Sequence, residues 1–296
     1  MKNNFFFLFC AILNISLFLP ANPSYSFVPS IYEPTKKTLI DTSIGIGRTA
    51  SKYIEYGHAK EAINLAKLAL SLNPKEANLW IILSRAQLYS NLLSDSLVSI
   101  KNAQKIDSKS PVVWFTRASI EMQTGDIEAA IQSIRKNIKL ENNNSNSYFL
   151  LGNAKLIQKK YSNSLEAFKK ATDINPKFWQ AINNQALVYY ELGFKQKAIN
   201  TWREVILIKS DPEPKLALAI ALYALEPNNN EAIKLAKEAL SQNPNYFFQQ
   251  FQKEQLWGEK LQTAGIELFK NPKLKSVINT ASANSNFSNE KDQKNW

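Results

Sequence analysis

Pro74, Pro176 and Pro244 lie 102 and 68 residues apart, three and two multiples of 34. A chain that repeats at this spacing has to build one supersecondary unit again and again, because each unit buries its apolar face only against the next. With that proline set as position 32, six ungapped units start at Ser43, Ala77, Pro111, Ser145, Trp179 and Glu213. Residues that played no part in setting the register obey it. Position 20 is Ala62, Ser96, Ala130, Ser164, Ala198 and Ala232, and position 8 is Ala50, Ser84, Ala118, Gly152, Ala186 and Ile220. Position 27 adds Ala69, Ala103, Asn137, Ala171, Val205 and Ala239. Small side chains at these points let two antiparallel helices approach closely. Position 15 carries Gly57, Asn91, Gly125, Gly193 and Pro227, a turn residue in five of the six units. Each unit therefore predicts a helix of about 14 residues, a tight turn, a second helix of similar length and a short link.

Tyr148-Phe149-Leu150-Leu151-Gly152, followed by Tyr161, Phe168, Ala171 and Pro176, holds the densest set of signature residues. Trp80 and Trp114 occupy position 4, and Tyr53, Tyr189 and Tyr223 occupy position 11. In these residues the chain resembles the tetratricopeptide repeat family. Arg117 and Gln185 at position 7, Asn137 at position 27 and Ile220 at position 8 depart from the family pattern. The resemblance implies an all-α, right-handed superhelical solenoid with a concave groove, and its usual work is binding proteins or peptides.

The ends have a different character. Lys2 precedes the apolar run Phe5 to Leu19, which Pro20 and Pro23 break before Ser24-Tyr25-Ser26. That order is the pattern of a secretory signal peptide over residues 1–26, and the run falls short of the ~20 apolar residues a spanning helix needs. The expected compartment is the periplasm or the thylakoid lumen, with an uncleaved membrane anchor as the alternative. Residues 27–42 form a lead-in, and units 43–76, 77–110, 111–144, 145–178, 179–212 and 213–246 follow. Tyr246-Phe247-Phe248, Phe251, Leu256-Trp257 and Leu261 predict C-terminal capping helices over 247–278 that cover the exposed end of the last unit. Residues 279–296, rich in Asn, Ser and Lys, are expected to form a disordered tail.

Signals of chemistry are sparse. One His and one Cys in 296 residues cannot supply a Cys/His zinc site. His58 follows Gly57 in a turn and has Glu61 three residues on but nothing else of a triad. Gly45-x-Gly47 lacks the third glycine and the preceding strand of a phosphate loop. No catalytic, cofactor-binding or metal-binding residue, no small-molecule substrate and no enzymatic activity is expected. No nucleic-acid partner is expected for an exported chain.

Two surfaces remain. The resemblance places the groove at positions 2, 5, 9, 12 and 13 of each first helix, which here yields Arg85, Tyr89, Phe115, Phe149, Asn153, Asn183 and Tyr190 as the partner-binding set. Aromatics beside amides suit an extended or helical peptide, the alternative being that they pack neighbouring helices. Gly47, Ser51 and Ile82 stand where some relatives carry the Lys and Asn that clamp a C-terminal carboxylate. Position 25 is Lys67, Lys101, Arg135, Lys169, Arg203 and Lys237, basic in all six units, on a chain with a net charge of +11. This line predicts a basic convex stripe: a solvated helix face, or attachment to an anionic membrane or an acidic protein. From the resemblance, residence in such a compartment implies an assembly or maintenance factor for an envelope or thylakoid complex.

Overall fold

The computed structural model describes residues 33–285, and the signal-peptide reading and residues 286–296 of the expected tail lie outside them. Contacts divide the chain between Thr38 and Leu39, and the account below concerns the unit from Leu39 onward. Among the described residues there is no strand. Twelve helices follow one another in pairs: α1 (Lys36–Glu55) with α2 (Ala59–Leu72), α3 (Ala77–Tyr89) with α4 (Leu93–Ile106), and α5 (Pro111–Gln123) with α6 (Ile127–Leu140). The series continues with α7 (Ser145–Ile157) and α8 (Tyr161–Ile174), α9 (Trp179–Glu191) and α10 (Lys195–Ile208), then α11 (Pro212–Leu225) and α12 (Asn230–Gln242). This is an all-α solenoid.

The small positions are where each pair closes. Ala50, Ala62, Ala118, Ala130, Ala186 and Ala198 are all fully buried. Where serine replaces alanine, its hydroxyl is spent across the contact: Ser96 Oγ donates to the Ser84 carbonyl at 2.7 Å, and Ser164 Oγ to the Gly152 carbonyl at 2.8 Å. Position 24 fills the space beneath. It runs Ala66, Ile100, Ile134, Phe168, Trp202 and Ala236, none more than 1% exposed. Gly152 exists because of one of them, since a Cβ there would lie 2.3 Å from the Phe168 ring. Burying Phe168 and Trp202 in this way is worth at least roughly 1.5–3 kcal/mol each.

Neighbouring units are registered by the tryptophans. Trp80 Nε1 donates to the Pro74 carbonyl and Trp114 Nε1 to the Ser108 carbonyl, both at 2.8 Å. Both bonds run from position 4 of one unit to position 32 of the unit before it. The residues that depart from the family pattern find partners too. Arg117 Nε donates to Glu121 at 2.8 Å, Gln185 to Thr172 at 3.3 Å, and Asn137 Nδ2 to the Pro111 carbonyl at 2.8 Å.

The tight turns of the first five units need a left-handed residue, and position 15 supplies it at Gly57 (φ 81°), Asn91 (59°), Gly125 (81°), Lys159 (57°) and Gly193 (90°). Lysine at this backbone conformation has no turn signature in the sequence. Pro227 cannot take a positive φ. The sixth unit ends α11 at Leu225, the same repeat position as in the other units, and starts α12 one residue later than they do, at Asn230.

Beyond α12 the chain folds as a 3₁₀ turn (Pro244–Phe247), α13 (Gln249–Glu254), α14 (Glu259–Phe269), a second 3₁₀ turn (Pro272–Leu274) and α15 (Lys275–Asn284). One expectation is corrected here. Residues 279–284 belong to a helix, whose end is tied down where Ser285 Oγ meets Asn245 Oδ1 at 2.8 Å. The end of the last unit is covered by the two 3₁₀ turns and α15, while α14 packs on α9 and α11.

Candidate partner-binding groove

The first helices of successive units touch one another, α3 on α5 and α5 on α7, whereas no two second helices pack to that extent. The first helices therefore line the inner face of the array and the second helices its outer face. Side chains on the inner face are mostly uncharged because the resident apolar and amide residues sit between close backbones.

The inner face is open between α3 and α5. A cavity of about 640 Å³ lies there, bordered by Arg85, Tyr89, Val112, Phe115, Ser119 and Gln123. Tyr89 is 66% and Val112 51% exposed, an unusual degree of exposure for large side chains facing inward. Among the described residues Arg85 has no ion-pair partner. Three of the sequence-derived groove residues, Arg85, Tyr89 and Phe115, thus meet in one place.

Further along, the groove is filled by the chain itself. The Glu191 side chain, 7% exposed, accepts the backbone N–H of Leu261 at 3.1 Å and of Lys260 at 3.3 Å. Lys260 Nζ returns a bond to the Glu191 carbonyl at 2.6 Å. The end of α9 and the start of α14 therefore satisfy each other's free backbone groups. Lys159 Nζ reaches Glu259 at 2.7 Å, and Trp257 Nε1 donates to Glu213 at 3.1 Å. Trp257, Leu261 and Leu268 are all at most 3% exposed. Gly265 allows α14 to come down on Ile220, whose Cδ1 would lie 3.1 Å from a Cβ at that glycine. The large residue at a position that is otherwise small is thus matched by a glycine on the segment that covers it.

A second cavity, of about 470 Å³, remains between this C-terminal segment and α7 and α9, with Phe149, Asn153, Asn184, Glu213, Tyr246 and Phe251 on its walls. Phe149 is committed to packing against two tilted rings, 5.0 Å from Phe178 and 5.8 Å from Phe168 between ring centroids. Asn153 Oδ1 accepts from Asn184 at 2.8 Å. Burial pushes the Glu213 carboxyl up to about 7, against the downward pull of hydrogen bonds from Trp257, Asn183 and Tyr246. Burial likewise raises the Tyr246 hydroxyl above its usual range.

Two of the expected groove residues face elsewhere. Tyr190 is 2% exposed and packs 5.9 Å from Trp202, and burial raises its hydroxyl. Asn183 is 1% exposed and accepts the Trp202 indole N–H at 3.1 Å. Both are core residues of the fifth unit, because α14 and Trp202 close over the helix face that the family resemblance assigns to the groove. Lys67, Lys101, Arg135, Lys169, Arg203 and Lys237 are all exposed. His58 lies 3.6 Å from Glu61 in solvent. Among the described residues no group of three His, Cys, Asp or Glu is placed to hold a metal, and no helix is long and apolar enough to cross a membrane. The signal for the groove-filling segment was present in the apolar run after Pro244. Its docking site was not, because Glu191 and Glu213 read as ordinary helix carboxylates.

The paired helices, their 34-residue spacing and the inner groove form the kind of solenoid that tetratricopeptide repeats build. The tetratricopeptide repeat model matches residues 112–144 and 145–178, the third and fourth units. Tetratricopeptide repeat protein 37 of Xenopus laevis is 23% identical over 128 residues, 43% of this chain and 8% of that protein. The chain thus spans a small part of this relative's length. Among solved structures, the Pseudomonas aeruginosa pilF protein superposes with a TM-score of 0.62 at 19% identity, over 74% of this chain and 99% of that one. The anaphase-promoting-complex assembly Cut9–Hcn1 gives 0.63 at 15% identity, over 83% and 45%. At such identities the likeness is one of fold.

Proposed function

We propose that this chain is an exported, non-catalytic interaction scaffold that receives a protein or peptide segment in the open half of its inner groove, between α3 and α5. One observation carries the reading: Tyr89 and Val112 stand exposed on the inner face beside Phe115 and an unpaired Arg85, around a cavity of about 640 Å³. Exposed aromatic and aliphatic side chains on a rigid concave wall are the anchors that peptide recognition uses. The other half of the groove is already covered by α14, so the partner is held by the early units. Export rests on the pattern of residues 1–26, and a role in assembling or maintaining an envelope or thylakoid complex follows from that compartment.

Selection of a displayed peptide library on the wild-type chain tests the groove. Peptides so obtained should bind at least about tenfold more weakly to the Tyr89→Ala/Phe115→Ala variant, since each anchor commonly contributes more than ~1 kcal/mol. Their binding should depend only mildly on salt. Selected peptides indifferent to both substitutions would overturn the assignment. Intact mass of exported material, expected to begin near Phe27, tests the processing.

A further inference from the structure

The outer face carries a surface that the groove does not explain. Of the six cations at position 25, Arg203 is clasped by Glu231 through two bonds of 2.6 and 2.7 Å. The other five, Lys67, Lys101, Arg135, Lys169 and Lys237, are exposed and have no ion pair among the described residues. Positions 22, 25, 26 and 29 are three or four residues apart and share one helix face. On that same face stand Leu68 (51% exposed), Val98 (61%) and Leu207 (88%), and its carboxylates, Glu166, Asp173, Glu204 and Glu238, are confined to the last three units. Each lies within four residues of a position-25 cation of its own helix. On α6 the cations are densest: Arg135, Lys136 and Lys139 border a cavity of about 560 Å³ with Trp114 at its edge.

We propose that the outer face of the second helices is a docking surface for an anionic lipid bilayer, its cations meeting headgroup phosphates while Leu68, Val98 and Leu207 enter the boundary with the acyl chains. The mixture of groups decides for lipid. A nucleic-acid backbone would satisfy the cations and leave the three aliphatics in water. An acidic protein would have to be complementary along the whole array, because there is one cation in each of six units. A bilayer presents negative charge and an apolar layer in one continuous plane, which is what a face of interspersed lysine and aliphatic side chains matches. The inner groove faces away from such a surface and stays open while it is engaged.

Flotation of the full chain with phosphatidylcholine vesicles, with and without phosphatidylglycerol, tests this. Wild type should float with the anionic vesicles at low salt and be released as ionic strength shortens the Debye length below ~10 Å. Each cation contributes on the order of fivefold, so Lys101→Glu/Arg135→Glu/Lys169→Glu should lose on the order of 100-fold or more. Leu68→Ser/Val98→Ser/Leu207→Ser should lose about tenfold with the charge untouched. All variants keep residues 1–26, so differences between them report the outer face and not the apolar N-terminal run. All replaced side chains are exposed, and unchanged thermal unfolding will confirm the fold. Anionic binding that survives the charge-reversal variant, or a preference for anionic over neutral vesicles no greater in the wild type than in that variant, would overturn the proposal. So would capture of polyglutamate at low salt with no vesicle binding, which would assign the face to an acidic protein instead.

Discussion

The carboxylate of Glu191 accepts the backbone N–H of Leu261 at 3.1 Å, so the last residue of the fifth unit's first helix caps the helix that fills the groove in front of it. This one contact joins positions 70 residues apart. It divides the inner face into an open half and a half that belongs to the core.

Glu191→Ala should loosen that division. It removes the carboxylate acceptor of two amides at the start of α14 and leaves the Lys260 bond to the backbone carbonyl of residue 191 in place, at a cost of about 2 kcal/mol. Hydrogen exchange of residues 259–269 should accelerate while exchange in α3 to α6 stays as in the wild type. Uniform acceleration throughout would mean that α14 is no separate unit of stability.

Docking of the same segment should weaken as pH rises. The groups acting on Glu213 are Asp211, Tyr246, Trp257 and Asn183, none of them a cation. Its folded value of about 7 lies above the unfolded value of 4.5. The folded state therefore holds the extra proton between those limits, so the contribution is fully present below pH 4.5 and is lost as pH climbs through 7. The span corresponds to about 3 kcal/mol at most. Melting curves between pH 5 and 8, from the stated window, should show Glu213→Gln gaining on the wild type toward the alkaline end. Parallel curves for the two proteins would contradict the assignment.

Gly152→Ala should cost about 1–3 kcal/mol by overpacking against the Phe168 ring. Phe168→Leu in the same chain should recover part of the loss, because the pair share one space. Urea titration of the two single variants and the double variant measures the coupling.

Tyr89 and Tyr190 should behave oppositely although both were read as groove residues. Tyr190→Ala empties a buried site beside Trp202 and should cost about 3 kcal/mol or more. Tyr89→Ala should leave stability within about 0.5 kcal/mol while weakening selected peptides. Equal thermal midpoints for the two variants would place Tyr190 outside the core.

Much of the architecture was legible in the sequence because a repeat writes the same backbone requirement at the same offset. Ala130, Ser164 and Ala198 announce the close approach of paired helices, and Gly57, Gly125 and Gly193 announce the turns. Lys159 shows where this reading fails. It takes the left-handed conformation with a side chain that signals nothing of the kind. Tyr190 and Asn183 fail for another reason: periodicity tells which way a residue points and not what lies there.

The sequence by itself determined the unit length, the helix pairs, the identity of the tight contacts and the outer line of cations, all of which follow from separations of a few residues or of one repeat. Only the tertiary structure decided which part of the groove is available. That outcome rests on α14 meeting α9 and α11 through Glu191, Glu213 and the match of Gly265 to Ile220, contacts spanning more than one repeat and involving residues whose types are common on any helix. Non-local contacts of this kind leave no periodic trace, so the open cavity at Arg85, Tyr89 and Phe115 becomes distinct from the filled one only when the chain is folded.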